Sequence, residues 1–186
     1  MEEIQLYLDD AKESMEKTIK HTSQELTKIR AGKAMPNMLD GLMIEYYGTP
    51  TPINQVASVT TPDARTLAIK PFERKMITEI EKAIRNSDLG MNPQNDGETV
   101  RLNIPPLTQE RRKELVKRVK NEIESGKVSI RTIRKDTNEG LRKLLKEGAS
   151  EDDVKRAEDK VQQLTDQFIG KVDTLFSAKE AEIMTV

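Results

Sequence analysis

The one histidine, His21, stands four residues before Glu25, a spacing that puts both on one helix face and could hold one edge of a metal site. Two ligands fall short of a site, and a solvated surface pair is the simpler reading. Asp152 and Asp153 are a candidate acid pair, but neighbours on a helix diverge by about 100°. Carboxylates at a helix start are explained by its positive dipole end. Cysteine is absent, which excludes disulfides, thiolate nucleophiles and sulfur-rich zinc sites. There is no Walker loop, no GxGxxG and no serine, histidine and aspartate set in a recognisable context. Neither catalysis nor a cofactor is expected.

What remains is charge. The formal net charge is −1, yet it is unevenly spread. Residues 108–146 carry 13 basic and 6 acidic side chains, net +7, whereas residues 1–30, 31–107 and 147–186 carry −2, −1 and −5. Within 108–146, a line at helical spacing reads Lys113, Lys117, Lys120, Glu124, Lys127, Arg131, Arg134, Asn138 and Arg142. Seven of those nine positions are basic, so a ridge of cations runs along one helix edge. One reading is a solvated face whose cations pair with acids of neighbouring helices. The other is a polyanion partner, since regularly spaced cations match the phosphates of a structured RNA or duplex backbone. The chain has six aromatic residues, none of them in the ridge. Recognition would therefore be by shape rather than by stacking on bases. An acidic protein bound by a helical adaptor through the same face is the alternative of a different class.

The elements that must position this ridge follow from apolar spacing. Ile4, Leu8, Ala11, Met15, Ile19, Leu26 and Ile29, with Thr22 in the gap, form one stripe on a first helix. A second stripe, Leu115, Val119, Ile123, Gly126, Ile130, Ile133, Thr137, Leu141 and Leu144, predicts a helix of about 38 residues, hence about 57 Å, with Thr108 as its N-cap. A break at Glu147, Gly148 and Ala149 leads to Ser150 and a third helix with the stripe Val154, Ala157, Val161, Leu164, Phe168, Val172 and Leu175, continuing to Ile183. So short a turn forces the last two helices to pack antiparallel. The first helix is the only remaining partner with a matching stripe. The fold class expected is therefore α+β: a long antiparallel three-helix bundle, discontinuous over residues 1–30 and 105–186, with residues 31–104 inserted as a small β/α/β domain.

In that insert, strands are expected at 42–47, 53–59, 65–72 and 98–104, a helix at 75–85, and turns at 48–52, 61–63 and 92–97. The Pro-rich segment from Glu45 to Pro52 reads as a hairpin connection or an exposed contact tip. The chain crosses between domains twice. Ala31, Gly32 and Lys33 form one crossing, and Ile104, Pro105 and Pro106 the other. Glycine frees the first and the prolines remove backbone donors from the second, so a hinge near 30–33 and 104–107 is expected. No stretch reaches the length of a bilayer span, and Glu2 and Glu3 stand where a signal peptide would be basic. A cytoplasmic location and a monomer are expected.

Several blocks together resemble the bacterial ribosome recycling factors: Leu39 to Gly41 leading to Glu45 through Pro52, Ala57 to Val59, Ser87 to Gly90, and Pro105 to Lys113. The similarity runs from the first helix to the C-terminus. It implies an L-shaped, tRNA-sized molecule that acts on ribosomes after peptide release. It also implies a bundle lying on large-subunit ribosomal RNA, and elongation factor G, hydrolysing GTP, driving the small domain so that the subunits part. Residue by residue, the resemblance carries RNA contact to Arg30, Arg112, Arg131 and Arg134. The ridge adds Lys113, Lys117, Lys120, Lys127 and Arg142. Lys33 and Lys135 stand where arginine is common in the family, and lysine lacks the planar fork for bidentate phosphate contact.

Overall fold

A computed structural model describes residues 2–185. They separate into two compact units, residues 2–30 with Gln109–Thr185, and Ala31–Thr108.

The first unit consists of three helices, α1 (Glu2–Thr27), α4 (Gln109–Lys146) and α5 (Glu151–Thr185). Leu8, Met15, Leu26, Val119, Ile130, Leu141, Val161, Phe168 and Val172 are buried, all of them on the stripes read from the sequence. At about 1.5–3 kcal/mol for each large apolar side chain, this core holds the helices together without a ligand. Helix α1 ends at Thr27, three residues before its expected limit. Ile29 stays 3% exposed, so the stripe outlasts the helix, and Lys28 and Ile29 donate to the carbonyls of Glu25 and Leu26 in a tightened last turn.

Two glycines set the approach of α1 to α4. A β-carbon at Gly126 would stand 2.7 Å from Thr22 Oγ1, and one at Gly140 would run into the Tyr7 ring. As the α4 number rises by 14, the α1 number falls by 15, so the two helices run antiparallel. The turn into α5 closes when Gly148, at φ +100°, donates to Leu145 and Ala149 donates to Leu144. Ser150 follows, and its carbonyl takes the Val154 amide.

The second unit holds the four-stranded antiparallel sheet β3-β4-β6-β5 and the hairpin β1-β2. The strands are β1 (Met43–Tyr46), β2 (Thr49–Pro52), β3 (Ala57–Asp63), β4 (Thr66–Pro71), β5 (Pro93–Asn95) and β6 (Val100–Asn103). A single helical turn, α2 (Ile53–Val56), precedes β3, and α3 (Ile77–Arg85) follows a 3-10 turn at Arg74–Met76. Ile44, Leu67, Ile69, Ile80, Ile84, Val100 and Leu102 form its core.

The insert departs from the sequence reading in four places. The expected strand 53–59 begins as α2, because Ile53 and Val56, three apart and both buried, need one helical turn after Pro52. Thr49–Pro52, expected as loop, is an edge strand. Its prolines lie opposite Glu45 and Met43, and with Tyr46 bonded to Thr49 across a two-residue turn these are the positions that donate nothing to the ladder. The strand expected to stop at Val59 continues to Asp63 through an irregularity after Thr60, and the turn shifts to Asp63, whose Oδ1 accepts the Arg65 amide at 2.8 Å. Residues 93–95, expected within a turn, pair with β6.

The β1-β2 turn places Tyr47 at φ +49° and Gly48 at φ +79°. A bulky residue there is strained, and Glu73 secures it. Tyr46 and Tyr47 donate their hydroxyls to the two Glu73 oxygens at 2.6 and 2.9 Å, and Lys75 approaches Glu73 to 3.1 Å while also donating to the Tyr47 hydroxyl. The Tyr46 hydroxyl first, and that of Tyr47 next, hold the Glu73 carboxyl below its ordinary range.

Candidate nucleic-acid interface

Helix α4 carries the cationic line as one continuous helix of 38 residues. Its buried stripe faces α1 and α5, which leaves the line beginning at Lys113 along the edge toward α5. Two pairs mark that edge. Lys127 Nζ lies 2.6 Å from Asp173 Oδ1, and Arg142 Nε lies 2.8 Å from Glu158 Oε1, so α5 runs antiparallel beside α4. Arg131 Nη1 reaches Glu124 Oε1 at 3.1 Å along α4 itself. Three of the seven cations on the line are thus engaged by carboxylates.

The other four are not. Lys113, Lys117 and Lys120 are exposed and Arg134 is half-buried, and none of them forms an ion pair or hydrogen bond among the described residues. Arg118, exposed and likewise unpaired, adds a cation that the register line passes over. Its signal was local composition: residues 111–120 hold six basic side chains and one acidic one. On the line, the free charge therefore concentrates in the first third of α4, with Arg134 as an outlier farther along, while off the line Lys143 and Lys146 near the end of α4 are also exposed and form no ion pair among the described residues.

Arg112 has a different setting. It is half-buried, and its Nη1 donates to the Met184 carbonyl at 2.7 Å, which satisfies an end group of α5. Arg30 is exposed, just past the end of α1. Asn138 interrupts the line, and its Oδ1 is buried without a partner among the described residues.

The two crossings both pack with the small unit. Ala34 donates to the Ala64 carbonyl and Ile104 to that of Arg65, each at 2.8 Å. Gly32 has φ +77°, and a β-carbon there would stand 2.8 Å from Leu107 Cγ. Ala31 is buried, Lys33 half-buried, and Pro105 and Pro106 exposed.

The candidates for other chemistry are now placed. His21 Nε2 lies 3.8 Å from Glu25 Oε1 on the surface, and no group of three metal-ligating side chains forms among the described residues. Asp153 faces Arg156 at 3.7 Å and Asp152 is exposed. No helix among the described residues is long and apolar enough to cross a membrane.

Comparison with known proteins gives a consistent result. The family model described as ribosome recycling factor matches residues 22–184. Ribosome-recycling factors of Cytophaga hutchinsonii and Amoebophilus asiaticus are each 62% identical over 186 residues, covering all of both chains. A solution structure of a ribosome recycling factor superposes with a TM-score of 0.74 at 34% identity, covering 100% of both chains. A second structure, of the T. thermophilus factor in models with E. coli elongation factor G bound to the E. coli post-termination complex, gives 0.60 at 45% identity over 97% of this chain and 98% of that one. On a family match through both units and on relatives alike over their full length, the chain belongs to the ribosome recycling factor family.

Proposed function

We propose that the chain binds the post-termination ribosome through phosphates of large-subunit ribosomal RNA. With elongation factor G and GTP, it then parts the subunits and releases mRNA and deacylated tRNA. As a member of its family it is a non-enzymatic translation factor. The GTP chemistry belongs to the elongation factor, and cytoplasmic location follows from work on ribosomes. The observation that carries the binding half of this reading is the set of unpaired cations Lys113, Lys117, Arg118, Lys120 and Arg134 on one rigid helix. A phosphate meeting them displaces only water and counterions, and counterion release favours the complex.

The ion pairs of Lys127, Arg131 and Arg142 are surface pairs of small worth, about 0–1 kcal/mol. Phosphates can therefore compete for these three once the free cations have docked the helix. Arg30, exposed just past the end of α1, is a further cation open to phosphate. Arg112 serves mainly to hold the end of α5.

Domain motion is assigned to the crossings at Ala31 to Lys33 and Ile104 to Pro106. Bonded to the small unit at Ala34 and Ile104, they leave the rotatable backbone between those anchors and the helices. The reading is tested by sedimenting ribosomes with this chain, elongation factor G and GTP. Separated subunits are expected only when all three are present. Intact ribosomes under that condition, or capture of an acidic protein in place of ribosome binding, would overturn it.

A further inference from the structure

The β1-β2 hairpin has two outer edges, and the chain treats them differently. Tyr46 and Thr49 form the bonded pair that closes the turn, and Ile44 and Thr51 form the next, so Met43, Glu45, Pro50 and Pro52 direct their backbone groups away from the hairpin. On the β2 side both outward positions are proline. With no N–H to offer, that edge cannot template a further strand. On the β1 side the outward positions are Met43 and Glu45, whose amides and carbonyls have no partner among the described residues.

A groove of about 260 Å³ lies between β1 and α3. Met43 and Glu45 line one bank, and Glu79, Lys82, Ala83 and Asn86 the other. Met43 is 53% exposed, a flexible apolar side chain of the kind that adapts to a partner. Glu45 is exposed and Glu79 half-buried, and neither carboxylate enters an ion pair or hydrogen bond among the described residues. Lys82, exposed and also unpaired, offsets one of the two, so the groove keeps an excess of negative charge.

We infer that the open edge of β1, with its groove, is a docking site for an extended segment of another protein that carries basic side chains at alternate positions. The segment adds as a strand beside β1. Its main chain bonds to Met43 and Glu45, and because side chains of an extended chain alternate between faces, those on one face meet Glu45 and Glu79. A nucleic acid fits less well, since carboxylates on both banks repel its phosphates. The site is separate from α4 and independent of the phosphate grip proposed there.

The test titrates the isotope-labelled full chain with three blocked pentapeptides, followed through its backbone amide signals. The first is Lys-Val-Lys-Val-Lys, the second has Glu in place of each Lys, and the third is the first with its amides methylated along one edge. The first is expected to shift the Met43 and Glu45 signals and slow their hydrogen exchange, and the second to leave them unmoved. Methylation removes ladder bonds at constant charge and should weaken binding by about 2- to 12-fold for each bond lost. Glu45→Gln with Glu79→Gln should weaken it by about 2- to 30-fold. Glu45→Pro copies the outward proline of β2 onto β1 without touching the hairpin ladder, and should lose a further factor of about 2–12 relative to Glu45→Gln. If that variant misfolds by far-UV circular dichroism, the methylated peptide decides the same point. Unmoved Met43 and Glu45 signals, equal binding of the first peptide and either of the others, or the same signals shifted by an oligouridylate instead would each overturn the inference.

Discussion

The first third of α4 and the remainder of the same helix carry cations of different standing. Up to Lys120, the cations of the line stand exposed and unpaired, as does Arg118. Beyond it, Lys127 and Arg142 are met by carboxylates of α5, and Arg131 by Glu124. The contrast arises from the helix beside it. Helix α5 presents Glu158 and Asp173 along the shared edge, while near the start of α4 it offers the Met184 carbonyl to Arg112. A row of positive charges is thus one object in sequence and two in space. One part is ready for an outside polyanion, and the other, Arg134 excepted, already shares its charge with the protein.

Substitutions can break or sharpen that contrast. The largest effect is expected from replacing Lys117, Arg118 and Lys120 together by Gln. Three lost phosphate contacts should flatten the salt slope of large-subunit binding by about 2–3 units. Far-UV circular dichroism should not change, because none of the three has an internal partner. A smaller effect, about one slope unit at most, is expected from Arg134→Ala. It should weaken large-subunit binding while leaving the melting temperature close to that of the parent. Smallest is Asp173→Asn, which frees Lys127 for phosphate. Binding at low salt should tighten and the slope steepen by less than about one unit, with a stability cost of about 0–1 kcal/mol read from thermal unfolding. If Asp173→Asn steepened the slope by as much as the triple variant flattens it, the two parts of α4 would be equivalent.

The bundle was readable because its stripes are long. Leu115 through Leu144 spans several heptads, and no strand pattern competes with it. The small unit was read only in part, because its elements are short and their fates rest on contacts distant in sequence. Ile53 and Val56 fit a strand or a helical turn equally well until the core they enter is known. Pro50 and Pro52 suggest a loop until their alternation is matched to a ladder that needs no donors there. Of the candidate interface, the ridge was legible from charge and period. The partners of its cations were not, since Asp173 and Glu158 meet α4 only through antiparallel packing of α5. Arg118 was passed over because it lies off the chosen line, although its ten-residue neighbourhood was the most basic in the chain.

The most direct test is the affinity of the unmodified chain for isolated large ribosomal subunits, measured from about 50 to about 200 mM salt. Five phosphate contacts, at Lys113, Lys117, Arg118, Lys120 and Arg134, predict that log K falls linearly with log salt at a slope of about −4. Tight binding with a slope near zero would contradict a phosphate grip by α4.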